Sequence, residues 1–265
     1  MRLKKLGPHH QDTIQAKADL AKSYGHQDKF EEAEILLREI LDARTKTVGT
    51  QHPSTATAML KLAYTLDDQK KLDEAEKLYR EVVKMRTEVL GPTHHLTLGT
   101  IYDLGWFLHD HDRFEEAIKL HREALSVTAE VMELDHRRTI LEMRAVGRDL
   151  TKLRQYEEAE SYLRQALAKC KDILGCECEE TVDAMLALGE MLLDLNNVCE
   201  GREVLTEALQ LGLKVGGSED KTTLRIQELL KEGDSDLATS SDASAGLARL
   251  KIGAADELVS NIDEG

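Results

Sequence analysis

A period of 42 residues constrains this chain more than any other feature. Ala33, Ala75, Ala117 and Ala159 are spaced by that interval, and Gly201 continues the column. Thr13, Thr55, Thr97, Thr139, Thr181 and Thr223 repeat at the same interval, as do Leu20, Leu62, Leu104, Val146, Leu188 and Leu230. One place after this apolar column come the small residues Ala21, Ala63, Gly105, Gly147 and Gly189. Several independent columns at one period mark a stacked-repeat architecture, in which each unit buries its apolar face only against its neighbours.

Each unit reads as two helices. The first runs from the Thr column for about 12 residues, as from Thr55 to Leu66, with Leu62, Ala63 and Leu66 on one face. The small residue at Ala63 or Gly105 marks a close approach of two helices. A polar turn follows, Asp67-Asp68-Gln69-Lys70 in the second unit. The second helix runs from Leu72 to about Val89, with Ala75, Leu78, Tyr79 and Val82 at helical spacing. Gly7, Gly49, Gly91, Gly175 and Gly217 close the units, because glycine tolerates the left-handed backbone found just past helix ends. All three prolines, Pro8, Pro53 and Pro92, fall in the connections between units, where a missing N–H costs least.

This spacing of small, aromatic and alanine columns resembles the tetratricopeptide repeat. The period is longer than the usual 34 or so, and GTQHPST and EKLYREVVKMRTEVLGPTH resemble the kinesin-light-chain type. The resemblance spans residues 7–232. It implies an all-α fold, a right-handed superhelical solenoid of stacked antiparallel helix pairs. It also implies a non-enzymatic scaffold that binds a peptide or partner protein in a concave groove lined by the first helices. The paired Asn residues by which kinesin light chains hold a peptide backbone are replaced here by Ala18-Asp19, Leu60-Lys61, Tyr102-Asp103, Arg144-Ala145 and Leu186-Ala187. The known ligands of that family are therefore not implied.

The expected plan is a repeat array over 1–232. It has a half repeat at 1–8, repeats starting near 9, 51, 93, 135 and 177, and a closing helix at 223–232. An acidic tail, 233–265, is rich in Ser, Asp, Ala and Gly and is expected to be mostly disordered. MRLKKLGP at 1–8 aligns with MRTEVLGP two periods later, so the chain is expected to start inside the second helix of an earlier repeat. That fits an alternative reading, in which the array is the C-terminal repeat portion of a larger signalling ATPase or of a kinesin-light-chain-like adaptor.

Composition narrows the partners. The formal net charge is −15, whereas a nucleic-acid surface needs clustered Lys and Arg. No apolar run reaches the length of a membrane span and the first residues lack a signal-peptide core, so the expected setting is cytoplasmic. No GxSxG, HExxH or GxGxxG pattern occurs. GGSEDKTT at 216–223 places Asp220 where a phosphate loop needs glycine, and that carboxylate would repel phosphate. Catalysis, a cofactor and a metal are not expected. Cys170, Cys176, Cys178 and Cys199 do not match zinc spacing and read as reduced thiols. His10, His52, His94 and His136 recur at the repeat period, one per unit, and read as structural.

The candidate binding residues lie on first-helix columns two or three places round from Leu62, Ala63 and Leu66. Tyr64, Tyr102 and Trp106 are aromatic, and Arg144, Arg148 and Lys152 follow at i, i+4 and i+8 on one helix. Aromatic anchors beside Arg are the composition of binding hot spots. The expected ligand is an acidic peptide with an aromatic or aliphatic anchor. The competing reading packs Tyr64 and Trp106 between helices and pairs the arginines with acids such as Asp103 and Glu142.

Overall fold

The structure, a computed structural model, describes residue 7, residues 9–132 and residues 137–239. It divides into two compact units, Met1–Glu133 and Leu134–Gly265. Unit 1 contains α1 (Gln11–Gly25), α2 (Phe30–Val48), α3 (Pro53–Asp68), α4 (Leu72–Leu90), α5 (His95–Asp110) and α6 (Phe114–Met132). Unit 2 contains α7 (Arg137–Lys152), α8 (Tyr156–Lys169) with a π-helical turn (Cys170–Leu174), α9 (Glu179–Asp194), α10 (Val198–Val215) and α11 (Lys221–Thr239). Within each unit, successive helices pack side by side as antiparallel pairs, and each second helix also packs on the first helix of the next pair. The expected all-α stack of helix pairs is what both units are.

The conserved-looking spacing has a chemical cause at each join. Gly49, Gly91 and Gly175 sit at φ +94°, +93° and +94°, a conformation that glycine adopts without strain. Their carbonyls accept hydrogen bonds from Thr55, Thr97 and Thr181 Oγ1 at 2.7, 2.8 and 3.0 Å, which accounts for three members of the Thr column, while Thr223 Oγ1 donates to Asp220 Oδ2. His10, His52 and His94 are N-caps: Nδ1 accepts from the backbone N–H of Asp12, Ser54 and Leu96 at 3.2, 3.1 and 3.1 Å. The imidazole does here what Ser or Asp does at most helix starts. His136 lies outside the described residues.

The turns inside the pairs follow a rule that no residue type announces. Asp28, Lys70, Asp112, Arg154 and Asn196, again 42 apart, all lie at φ between 57° and 64°. The next residue's N–H reaches back to the last turn of the first helix, as Lys71 N to Leu66 O at 2.8 Å and Gln155 N to Leu150 O at 2.9 Å. This is the Schellman ending, with a non-glycine residue in the left-handed position.

Leu62, Leu66, Leu104, Leu108, Leu150, Leu188 and Leu192 are almost fully buried. The small-residue column does mark close approach. A Cβ on Gly147 would stand 2.6 Å from Leu163 Cγ, and one on Gly189 2.5 Å from Leu205 Cγ. The closing helix differs in extent from the expected 223–232, since α11 runs from Lys221 to Thr239. The rest of the expected tail, and residues 1–6 and 8 of the expected half repeat, lie outside the described residues.

Candidate functional site

The outward face of the first helices is narrower than the wheel suggests. The column of Leu60, Arg144 and Leu186 is buried, at 9%, 8% and 5% exposure. Ala145 and Ala187 are buried too. Long side chains one place nearer the helix contact are absorbed by packing. What remains outward is the column of Lys22, Tyr64, Trp106, Arg148 and Glu190, together with Asp19, Lys61 and Asp103.

In unit 1 the three expected aromatics lie on α3 and α5. Tyr64 is 41% exposed, and Tyr102 and Trp106 are half-buried. Tyr102 and Trp106 pack edge to face with centroids 6.0 Å apart. Trp106 also meets His109 at 5.0 Å and His121 at 6.2 Å. Tyr64 meets the buried Tyr79 of α4 edge-on at 5.7 Å. Burial first, and then the Asp103 carboxylate to which it is hydrogen-bonded, push the Tyr64 hydroxyl's pKa well up. The tyrosine therefore stays neutral and acts as a donor with an exposed ring.

Arg86 of α4, which sequence reasoning missed, reaches up between α3 and α5. Its Nη1 donates to Leu96 O at 3.0 Å and to Thr100 Oγ1 at 2.6 Å, and its Nη2 to Thr57 Oγ1 at 3.4 Å. Burial lowers its pKa, against the opposing effect of Asp103 and Tyr64. No signal flagged it, because the same column holds Arg44, Thr128, Cys170 and Gly212.

In unit 2 the basic stripe is ion-paired. Arg144 Nη1 meets Asp183 Oδ2 at 2.6 Å, and Arg148 Nη2 meets Glu190 Oε2 at 3.2 Å. Both acids belong to α9, 39 and 42 residues downstream. Glu142, expected as a partner of the stripe, lies 3.6 Å from Arg138. Arg137 pairs with Glu180. Lys152 is exposed and lines a shallow cavity with Thr151, Arg154, Tyr156 and Asp194. Tyr64, Tyr102 and Trp106 thus belong to unit 1, and Arg144, Arg148 and Lys152 to unit 2.

The four cysteines are free thiols, with Cys170 buried and Cys176 and Cys199 exposed. Burial, then the neighbouring Cys178, pushes the Cys170 thiol up to about 11, which keeps it protonated and unreactive. Among the described residues no group of three or more His, Cys, Asp or Glu is placed to hold a metal ion. No described helix is long and apolar enough to cross a membrane.

Models of the tetratricopeptide repeat match residues 12–88 and 54–130, and a second such model matches residues 143–179. No curated protein matches the chain. Among solved structures, the chain is similar to a Podosopora anserina kinesin light chain with nearly identical TPR-like repeats. That match has 21% identity and a TM-score of 0.66, and covers 78% of this chain and 96% of that one. It is also similar to BtubC (BKLC) from P. vanneervenii, at 17% identity and a TM-score of 0.65, covering 79% and 84%. The apo form of RapI is similar at 14% identity and a TM-score of 0.63, covering 84% and 63%. At these identities the likeness is one of fold.

Proposed function

The chain belongs to the tetratricopeptide repeat family, and we propose that it is a protein-interaction scaffold holding a peptide or partner surface against the outward face of its first helices. One observation carries the reading: Tyr64, Tyr102 and Trp106 present ring surface on that face, in a chain that is only 4% aromatic. Aromatic rings with little rotamer freedom bury large area on binding at low entropic cost. Tyr64 and Trp106 anchor the partner on unit 1. Unit 2 offers a separate polar contact of its own, where Lys152 beside Arg148 meets an acidic group. Arg144, nearly buried on Asp183, holds α7 against α9 instead of reaching the partner.

A photo-crosslinking residue placed at position 64 or 148 in the full chain tests this, against one at the exposed Glu81 on the second-helix side. Partner adducts from 64 or 148, and none from 81, are expected. Adducts from 81 alone would overturn the assignment. Trp106→Ala should lower adduct yield at 64 at least tenfold.

A further inference from the structure

The column occupied by Arg86 ends differently in the last described join. At that column, 126 residues or three repeats downstream, α10 carries Gly212. In unit 1 the Arg86 side chain fills the slot between α3 and α5, bonded to Thr57, to the carbonyl of Leu96 and to Thr100, whose place in unit 2 is taken by the buried Ile226. In unit 2 the corresponding slot between α9 and α11 is an open cavity of about 140 Å3. It is lined by Gly212 and by Asp183 and Thr222, which stand where Thr57 and Leu96 stand in unit 1. Glu179 and Asp220 complete its acidic wall.

We propose that this cavity is a binding site for the guanidinium of an arginine side chain from a partner protein. Three things carry it. The first is size: the space is several times what a single water needs, about 10–15 Å3, and so admits the four heavy atoms of a guanidinium. The second is an in-chain template, since the equivalent slot already holds a guanidinium, that of Arg86. The third is charge. Where Arg86 meets the hydroxyl of Thr57, an incoming cation meets the carboxylate of Asp183, with Glu179 and Asp220 beside it. Asp183 already takes Arg144 Nη1 at 2.6 Å and Thr222 Oγ1 at 3.0 Å. Three carboxylates against the one arginine leave the cavity acidic, and the bonds of Asp183 hold its carboxylate in place. A planar fork of donors suits such a wall better than a compact ammonium.

The site lies wholly in unit 2 and does not depend on the aromatic face of unit 1. The test uses the full chain and three blocked tripeptides that differ only in their central residue: arginine, citrulline or lysine. Citrulline keeps the shape and loses the charge. Calorimetry is expected to give the arginine peptide at least tenfold tighter binding than citrulline and at least threefold tighter than lysine. Glu179→Gln, at an exposed position, should weaken it about threefold. Combined with Asp220→Asn, which keeps an oxygen for the Thr223 N–H, the loss should be at least tenfold. Equal binding of the citrulline or lysine peptide would overturn the proposal. So would no binding at millimolar peptide, or binding untouched by the double variant in protein with an unchanged melting temperature.

Discussion

Gly105 lies against the imidazole of His121 so closely that a Cβ there would stand 2.2 Å from Nε2. His121 occupies the place held by Leu163 and Leu205 in later repeats, where Gly147 and Gly189 make the same approach. The two helices of a pair are therefore spaced by the absence of a methyl group. Gly105→Ala, Gly147→Ala and Gly189→Ala should each destabilise the chain by about 1–3 kcal/mol through overpacking. Gly25→Ala, with nothing within 4 Å of the added Cβ, should be neutral or gain up to about 1 kcal/mol. Urea unfolding of the four variants separates the two cases.

The left-handed turn residues give a second test. A non-glycine residue there costs about 1–2 kcal/mol, against about 0.5–1 kcal/mol of extra chain entropy lost by glycine. Lys70→Gly and Arg154→Gly should raise stability by about 0.5–1 kcal/mol, read as a higher melting temperature. Unchanged or lower values would mean that the side chains at 70 and 154 make compensating contacts.

These two features differ in how far they could be read from sequence. The close approach was legible because it requires a small residue and leaves a column of Ala and Gly. The left-handed turn was not, because Asp, Lys, Arg and Asn all adopt it when a 6→1 backbone bond holds the chain. The His column was legible as structural, but its role as an N-cap was not, since imidazoles are uncommon there. The pairing of Arg144 with Asp183 and Arg148 with Glu190 was missed because the partners lie 39 and 42 residues away in sequence, on the next first helix. Arg86 left no trace, since its column mixes two arginines with Thr128, Cys170 and Gly212.

Acid should weaken unit 1 in a defined window. Burial alone would raise the Glu34 carboxyl, but hydrogen bonds from Lys71, Arg38 and Gln69 outweigh it and hold the pKa at about 2, below its ordinary 4.5. A group depressed in the folded state stabilises above its unfolded value and loses that contribution as it is protonated. Stability should therefore fall as the pH drops from about 4.5 towards 2. Glu34→Gln should be less stable at neutral pH and should flatten that part of the profile. An unaltered slope between pH 4.5 and 2 in the variant would remove Glu34 from the account.

A ladder of arginines ties neighbouring second helices within each unit. Arg38 meets Glu34 and Glu74, Arg80 meets Glu76 and Glu116, and Arg164 meets Glu160 and Glu200. The Arg164 and Glu200 side chains are both solvent-exposed, at 45% and 38%, so a double-mutant cycle there should give only about 0.2–1 kcal/mol. The coupling should shrink as salt rises from 0.05 to about 1 M, where screening acts over about 3 Å. A coupling that persists in salt would mean a desolvated pair.

Hydrogen–deuterium exchange of the full chain, with and without its crosslinked partner, tests the central claim most directly. Partner binding on the first-helix face predicts slowed exchange in α3 and α5, over residues 56–68 and 95–110, with α4 and α6 unchanged. Protection confined to the second helices, or spread evenly over both, would contradict it.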